Sequence, residues 1–418
     1  MKKNLVVLIA FCLCCICMNA TAQTKEIRVL VANHPYGDLL KTAIPEFEGA
    51  TGIKVNVESL QESQLSTKLA TEFATKSSSI DVFMLRPLQE GKMFNRNGWL
   101  ESLSKYDFSD FPKNIMSVAT FGEVPQIVPI VTEWEVLYYR KDVLEKAGLK
   151  VPKTLVELEA AAKKVNSENI AGIASRGKGA AAVTQMSSFV YNYGGLYLDK
   201  GVAVFNSKPT LDAIRFYGKI VGTYGPKGVT SMSWENILPL FQAGKIAMWT
   251  DASVFFGQLV DPAKSQVATE NVGIADFPAG LKKNTPYLAV AWGIAVANQS
   301  KRKDLAMKFL EWATSKDFAK RAMLVSNIPV ARTSAWDDKE TRAKIHPGML
   351  ATRNFAAKNG FPYDRPYMTA VGEARDQIGE LVIESINTKG TSPNLEKLAE
   401  EKVARVNGLL KDAGEYGK

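Results

Sequence analysis

Apolar and polar positions alternate in two rhythms along this chain. Ile27 to Val31 is a short apolar run. Ile53, Val55 and Val57 alternate with Lys54 and Asn56, the period-two spacing of a strand. Between them lies an amphipathic segment that starts near Leu39 and closes with Glu46, Phe47 and Glu48. Gly52 follows, able to take the left-handed conformation that ends a helix. The chain therefore opens strand, loop, helix, strand. Further strands are predicted at Ile80–Leu85, Gln126–Ile130, Val136–Tyr139, Ile246–Trp249, Val272–Ala275 and Leu288–Ala297. Thr154 and Glu157 form a capping box for a helix running to about Val165. Leu305, Met307, Phe309 and Leu310 give a helical period over Ser300 to Trp312. Ser392 as cap and Pro393 at the first position open a closing helix to Leu410. Gly177 to Ala182 is a small-residue cluster and reads as a loop. The fold class is mixed α/β throughout. No Pro/Gly-rich linker divides the chain at one point, so two lobes joined by several crossings are expected.

Composition narrows the chemistry. Residues 1–22 have the layout of a signal peptide: Lys2 and Lys3, an apolar run from Leu5 to Met18, then Ala20-Thr21-Ala22 before Gln23. All four cysteines, Cys12, Cys14, Cys15 and Cys17, fall in it. The residues before them are Phe11, Leu13, Cys14 and Ile16, none of them the small residue a lipoprotein signal needs. An exported, non-lipidated protein is expected, with no disulfide, thiolate metal site or cysteine nucleophile. The formal charge is +9 and drops by two without Lys2 and Lys3. Basic residues come in scattered pairs such as Lys163-Lys164 and alternate with acids on helices. No aromatic-studded basic patch points to nucleic acid. The two histidines, His34 and His346, are far apart. No H-E-x-x-H, G-x-S-x-G or G-x-x-x-x-G-K-[ST] is present, which argues against an enzyme of those kinds. A glycosidase built on two carboxylates carries no such motif and stays open. No cofactor and no metal are expected.

Several segments have a familiar wording. Ile44 to Glu58 reads IPEFEGATGIKVNVE. It is followed by Ile80-Asp81-Val82-Phe83 with Met84-Leu85-Arg86-Pro87, then by Gly98-Trp99-Leu100-Glu101-Ser102-Leu103. Pro129 through Leu144 reads PIVTEWEVLYYRKDVL, and Ala147 to Leu158 reads AGLKVPKTLVEL. Trp234 to Met248, Ala291 to Ile294 and Glu311 to Ser315 complete the series. In order and spacing these resemble the extracellular solute-binding proteins of bacterial ABC importers, in the branch with maltose- and polyol-binding proteins. The resemblance covers essentially all of the chain after residue 22. It implies a two-lobed periplasmic-binding-protein fold, each lobe a mixed sheet flanked by helices, with the ligand cleft at the hinge. The implied crossings fall near Val131–Glu135, Ala289–Trp292 and Ile328–Thr333. The first lobe is then 23–131 plus 292–331, and the second 132–291 plus 332–418.

The function implied is periplasmic capture of a small solute by a monomer, most simply a sugar or polyol, for ABC permease subunits in the inner membrane. An acidic or aromatic solute, or a ligand-presenting sensor role, would use the same fold. The resemblance places His34 and Tyr36 in the first ligand loop, and Arg86 and Gln89 in the second. It puts Glu133 and Trp134 at the hinge, Asp251 after a strand, and Trp292 as the aromatic facing the cleft. Period-two alternation sets Glu133 and Glu135 on one face and Trp134 on the other. Trp249 is expected in the core, and Trp99, Trp234, Trp312 and Trp336 in packing. Two departures stand out. Phe121-Gly122-Glu123-Val124-Pro125 replaces the usual Y-G-x-x-Y-G-L-P, and the first loop is poor in aspartate.

Overall fold

The structure, a computed structural model, describes residues 25–418. The expected signal peptide and its cysteines lie outside the described residues. Strand β1 (Glu26–Ala32) leads into α1 (Pro35–Thr51) and then β2 (Lys54–Leu60). His34 caps α1, its Nδ1 accepting the Tyr36 N–H, and Pro35 fits the first turn, where no intrahelical N–H bond is needed. Gly52, at φ +68°, ends the helix as the pattern predicts. Helix α2 (Glu62–Ala74) and β3 (Val82–Leu85) follow. The hairpin of Thr120–Phe121 with Val124–Pro125 occupies the first departure from the family wording.

Strand β4 (Val128–Arg140) is the spine of the molecule. Its first half pairs antiparallel with the late strand β7, and its second half with β5 and β6. The pattern predicts two strands here, broken at Glu133 to Glu135. The strand runs on because both charged side chains find places on one face. Glu133 approaches His34, and Glu135 lies by the Ser188 and Thr250 hydroxyls. Trp134 points to the other face.

After β4 come α3 (Leu155–Val165), opened by the Thr154–Glu157 capping box, α4 (Gly179–Tyr193), α5 (Lys208–Tyr224) and α6 (Trp234–Gln242). Residues Gly179 to Ala182, expected as loop, are the first turn of α4. Strands β5 (Met248–Ala252), β6 (Val272–Asp276) and β7 (Leu288–Val296) complete the sheet. Asp251 is inside β5 rather than after it. The seven strands form one sheet in the order β6-β4-β7-β3-β1-β2, with β5 also on β4. Helices α7 (Lys303–Ala313) and α8 (Lys316–Ser326) pack with α1 beside the β1–β3 half. Helix α9 (Pro347–Asn359) covers β6, while α10 (Val371–Asn387) packs on α4, α5 and α11 (Leu395–Asp412). The cap of α11 is Asn394. Ser392 instead donates its hydroxyl to Glu384, 2.5 Å away. Two helix-covered halves thus share one sheet, and β4 pairs with strands of both.

Candidate functional site

The site lies where the β1–β3 half and the α4–α10 half face each other across a cavity of about 720 Å³. Its first wall is built on α2 and the turn Pro87–Gly91 after β3. Glu62 sits in the first turn of α2, where the positive helix end favours an acid. Burial disfavours its charge, but Arg86, Arg176 and other cations outweigh that and hold its carboxyl below the usual range. Arg86 donates to Glu62 and to Glu90, each at 2.8 Å, and to the Ser66 hydroxyl at 2.7 Å. Two carboxylates on one guanidinium keep it charged despite burial.

Behind Arg86 is a buried stack. The guanidinium carbon lies 5.7 Å from the centre of the Trp292 ring, and His34 is tilted against that ring at 5.4 Å. Register shifts in β7 on either side of Trp292 mark a bulge, the device that re-aims one side chain of a strand. Because His34 Nδ1 accepts the Tyr36 N–H, a neutral imidazole carries its proton on Nε2. That nitrogen is 3.5 Å from Glu133 Oε1, longer than a good hydrogen bond. Burial raises the Glu133 pKa, partly offset by His34.

The second wall centres on Asp251. Arg176 grips it with two bonds of 3.0 and 2.5 Å; Gln185, Trp249 Nε1 and the Ala252 N–H also donate to it. Gln185 reaches on to the Tyr287 hydroxyl at 3.1 Å. Glu135 lies near this cluster, fully buried, with neither carboxyl oxygen in a hydrogen bond. Burial pushes its pKa well above the ordinary carboxylate value, with Asp251 adding to the shift. Arg365 is paired with its neighbour Asp364, Nε to Oδ1 at 2.7 Å. Arg375 comes from the first turn and a half of α10.

Three hydrogen bonds cross between the walls. Trp234 Nε1 donates to Glu62 at 3.2 Å, its indole stacked on Phe255. Gln89 Oε1 accepts from Arg365 at 2.9 Å and from Arg375 at 2.7 Å.

The expected residues divide into three groups. Arg86 and Gln89 line the cavity. His34, Glu133, Trp292 and Asp251 stand behind that lining, joined to it through Arg86 and Arg176. Tyr36 and Trp134 belong elsewhere. Helix α1 starts at Pro35 and turns Tyr36 inward, where it packs on Phe318 and donates to the Ala313 carbonyl at 2.8 Å. Trp134 faces away from Glu133, packs on Trp336, and donates its indole N–H to Thr352 at 3.1 Å. Glu62, Arg176, Trp234, Arg365 and Arg375 were missed. Trp234 shares a helix face with Ile237, Leu238 and Phe241, so its spacing reads as packing. Among the described residues, no group of three or more His, Asp or Glu side chains is placed to hold a metal.

A solute-sized cavity with polar walls, set between two lobes on one sheet, defines a two-lobed binding protein. The bacterial extracellular solute-binding protein family matches residues 32–320, and the chain belongs to that family. Solved structures agree. The ABC transporter solute-binding protein of Agrobacterium radiobacter K84 in complex with ribitol is 26% identical, with a TM-score of 0.82 over 92% of this chain and 98% of that one. The solute-binding protein of Agrobacterium vitis S4 with bound D-mannitol is 25% identical, with a TM-score of 0.81 over 93% and 99%. The mannitol-binding protein of Pseudomonas aeruginosa is 28% identical over 327 residues, 76% of this chain and 69% of its own length. These likenesses span both lobes, so they cover both walls of the cavity.

Proposed function

We propose that this chain is the periplasmic solute-capturing component of an ABC importer, that it binds a polyol or small sugar in the cleft, and that it works as a monomer by lobe closure. The carrying observation is the cavity itself. Glu62, Arg86, Gln89, Arg176 and Trp234 line it and offer paired donors and acceptors with one aromatic face. Hydroxyl-rich solutes need that combination: charge-assisted hydrogen bonds contribute about 1.5–3 kcal/mol each and an aromatic face about 0.5–1.5. A few of each reach the roughly −8 kcal/mol of a micromolar site after association costs. Relatives that bind mannitol and ribitol support the ligand class.

In this reading β4 and β7 carry the first two crossings and the segment near Ile328–Thr333 the third. His34, Glu133 and Trp292 form the floor beneath Arg86, and Asp251 holds Arg176 in place. Hinge closure around a ligand is the established behaviour of periplasmic binding proteins, and the solute would pass from here to a membrane permease.

A thermal-shift screen of sugars and polyols tests the reading. A ligand at 100 times its dissociation constant adds about 2.7 kcal/mol of stability. The bound compound is expected back unchanged after incubation. Trp234→Ala should weaken binding at least tenfold. No shift across the whole panel would sink the proposal, and recovery of cleaved glycoside would replace it with a glycosidase.

A further inference from the structure

The arginines of the cleft are not equally neutralised. Arg86 has Glu62 and Glu90, Arg176 has Asp251, and Arg365 has Asp364. Arg375 is only 8% exposed, yet every acceptor it reaches is neutral. Nη1 donates to Gln89 Oε1, and Nη2 donates to the Ala180 carbonyl at 2.6 Å and the Thr184 hydroxyl at 3.3 Å. Its Nε has no partner. Burial and the neighbouring Arg365 and Arg86 push its pKa well below the usual arginine value, and the more distant Asp364 and Glu62 carboxylates offset only part of this. Asp376 and Glu235 also line the cavity, but both are exposed at its rim.

The position of Arg375 follows from close helix packing. Gly379 is one turn further along α10. A Cβ there would fall 2.5 Å from the Gly179 carbonyl carbon and 2.6 Å from the Ala180 nitrogen. Only glycine lets α10 approach the start of α4 so closely, and that approach puts Arg375 beside the first turn of α4. This helix start has no capping side chain and no acid in its first turn; the Gly179, Ala181 and Ala182 N–H groups bond to the Gly177 and Lys178 carbonyls, which leaves the Ala180 N–H. Gly179, Ala180 and Ala181 line the cavity with it. The positive end of a 15-residue helix and a guanidinium with no carboxylate among its hydrogen-bond partners therefore converge on one stretch of wall.

We propose that Arg375 and the N-terminal turn of α4 form an anion subsite of the cleft, and that the captured solute is a sugar acid: a polyol or sugar carrying one carboxylate. This rests on the solute-binding reading above. One unmatched guanidinium suits a monoanion. Gln89 Oε1, a neutral oxygen shared by Arg365 and Arg375, marks where an anionic oxygen would make stronger, charge-assisted bonds. The remaining walls supply hydroxyl partners.

Calorimetric titration of the wild-type protein with matched pairs tests this: D-gluconate against D-glucitol, D-mannonate against D-mannitol, and D-glucuronate against D-glucose. In at least one pair the acid is expected to bind at least tenfold more tightly than its neutral parent. Gln89→Glu sets a fixed carboxylate between the two guanidiniums and should bring that ratio close to one, as should Arg375→Gln. If Arg375→Gln does not fold, Gln89→Glu alone decides. A ratio below tenfold in all three pairs, with neutral compounds binding, overturns the anion subsite and leaves the polyol reading standing. An acid preference that survives both variants also overturns it. Binding of none of the six compounds overturns the solute reading and the inference with it.

Discussion

The two walls of the cleft solve the same electrostatic problem differently. On the first wall one arginine, Arg86, is held by two carboxylates and a hydroxyl. On the second, three arginines share two close carboxylates, Asp251 and Asp364. A wall with spare acceptors tolerates losing one. A wall with at most one acid per arginine does not. The largest expected effect follows. Asp251→Ala leaves Arg176 buried and unpaired and should cost about 3–5 kcal/mol in denaturant unfolding. Glu62→Ala leaves Arg86 its bond to Glu90 and should cost about half of that or less. Equal losses would erase the distinction between the walls.

A second contrast involves acids near the spine. Glu133 has His34 as a partner, while Glu135 is fully buried with only the neutral Ser188 and Thr250 hydroxyls beside it. Its raised pKa means that the folded state keeps the Glu135 proton while the unfolded chain releases it near the ordinary value of 4.5. That contribution to stability is complete below the unfolded value and is lost as pH rises toward the folded one. Glu135→Gln removes the penalty. Its melting temperature relative to wild type should therefore rise between about pH 4 and pH 7, whereas a flat difference would show Glu135 to be ionised in the fold. The smallest effect is expected outside the cleft. Tyr36→Phe removes one buried hydrogen bond and should cost about 1 kcal/mol without changing ligand affinity. A loss of affinity would return Tyr36 to the site.

The framework was largely legible in the sequence because its signals are local. Period-two runs marked the strands, and Gly52 and the Thr154–Glu157 box marked helix ends. Of the residues expected at the site, Arg86 and Gln89, at the turn after β3, line the cavity, whereas His34, Glu133, Asp251 and Trp292 lie behind that lining. Arg375 could not be read this way. In the segment Gly372-Glu373-Ala374-Arg375-Asp376 it looks like one charge on a solvated helix face. The close packing of α10 on the start of α4, with Gln89 and Thr184 against the guanidinium, buries it. Tyr36 failed for the converse reason: it is two residues from His34, but a helix starting at Pro35 sends the two side chains in different directions.

The continuity of β4 bears on how closure could be observed. Residues on a rotation axis travel little, and residues far from it sweep the longest arcs. If the lobes swing about the shared strand, Glu133 and Glu135 keep their surroundings in both states, and mutations there change binding strength more than motion. The bond between Trp234 and Glu62 joins opposite walls, so a swing of the lobes would break it. Its indole fluorescence then becomes a built-in gauge of the angle between the lobes, with no external label required.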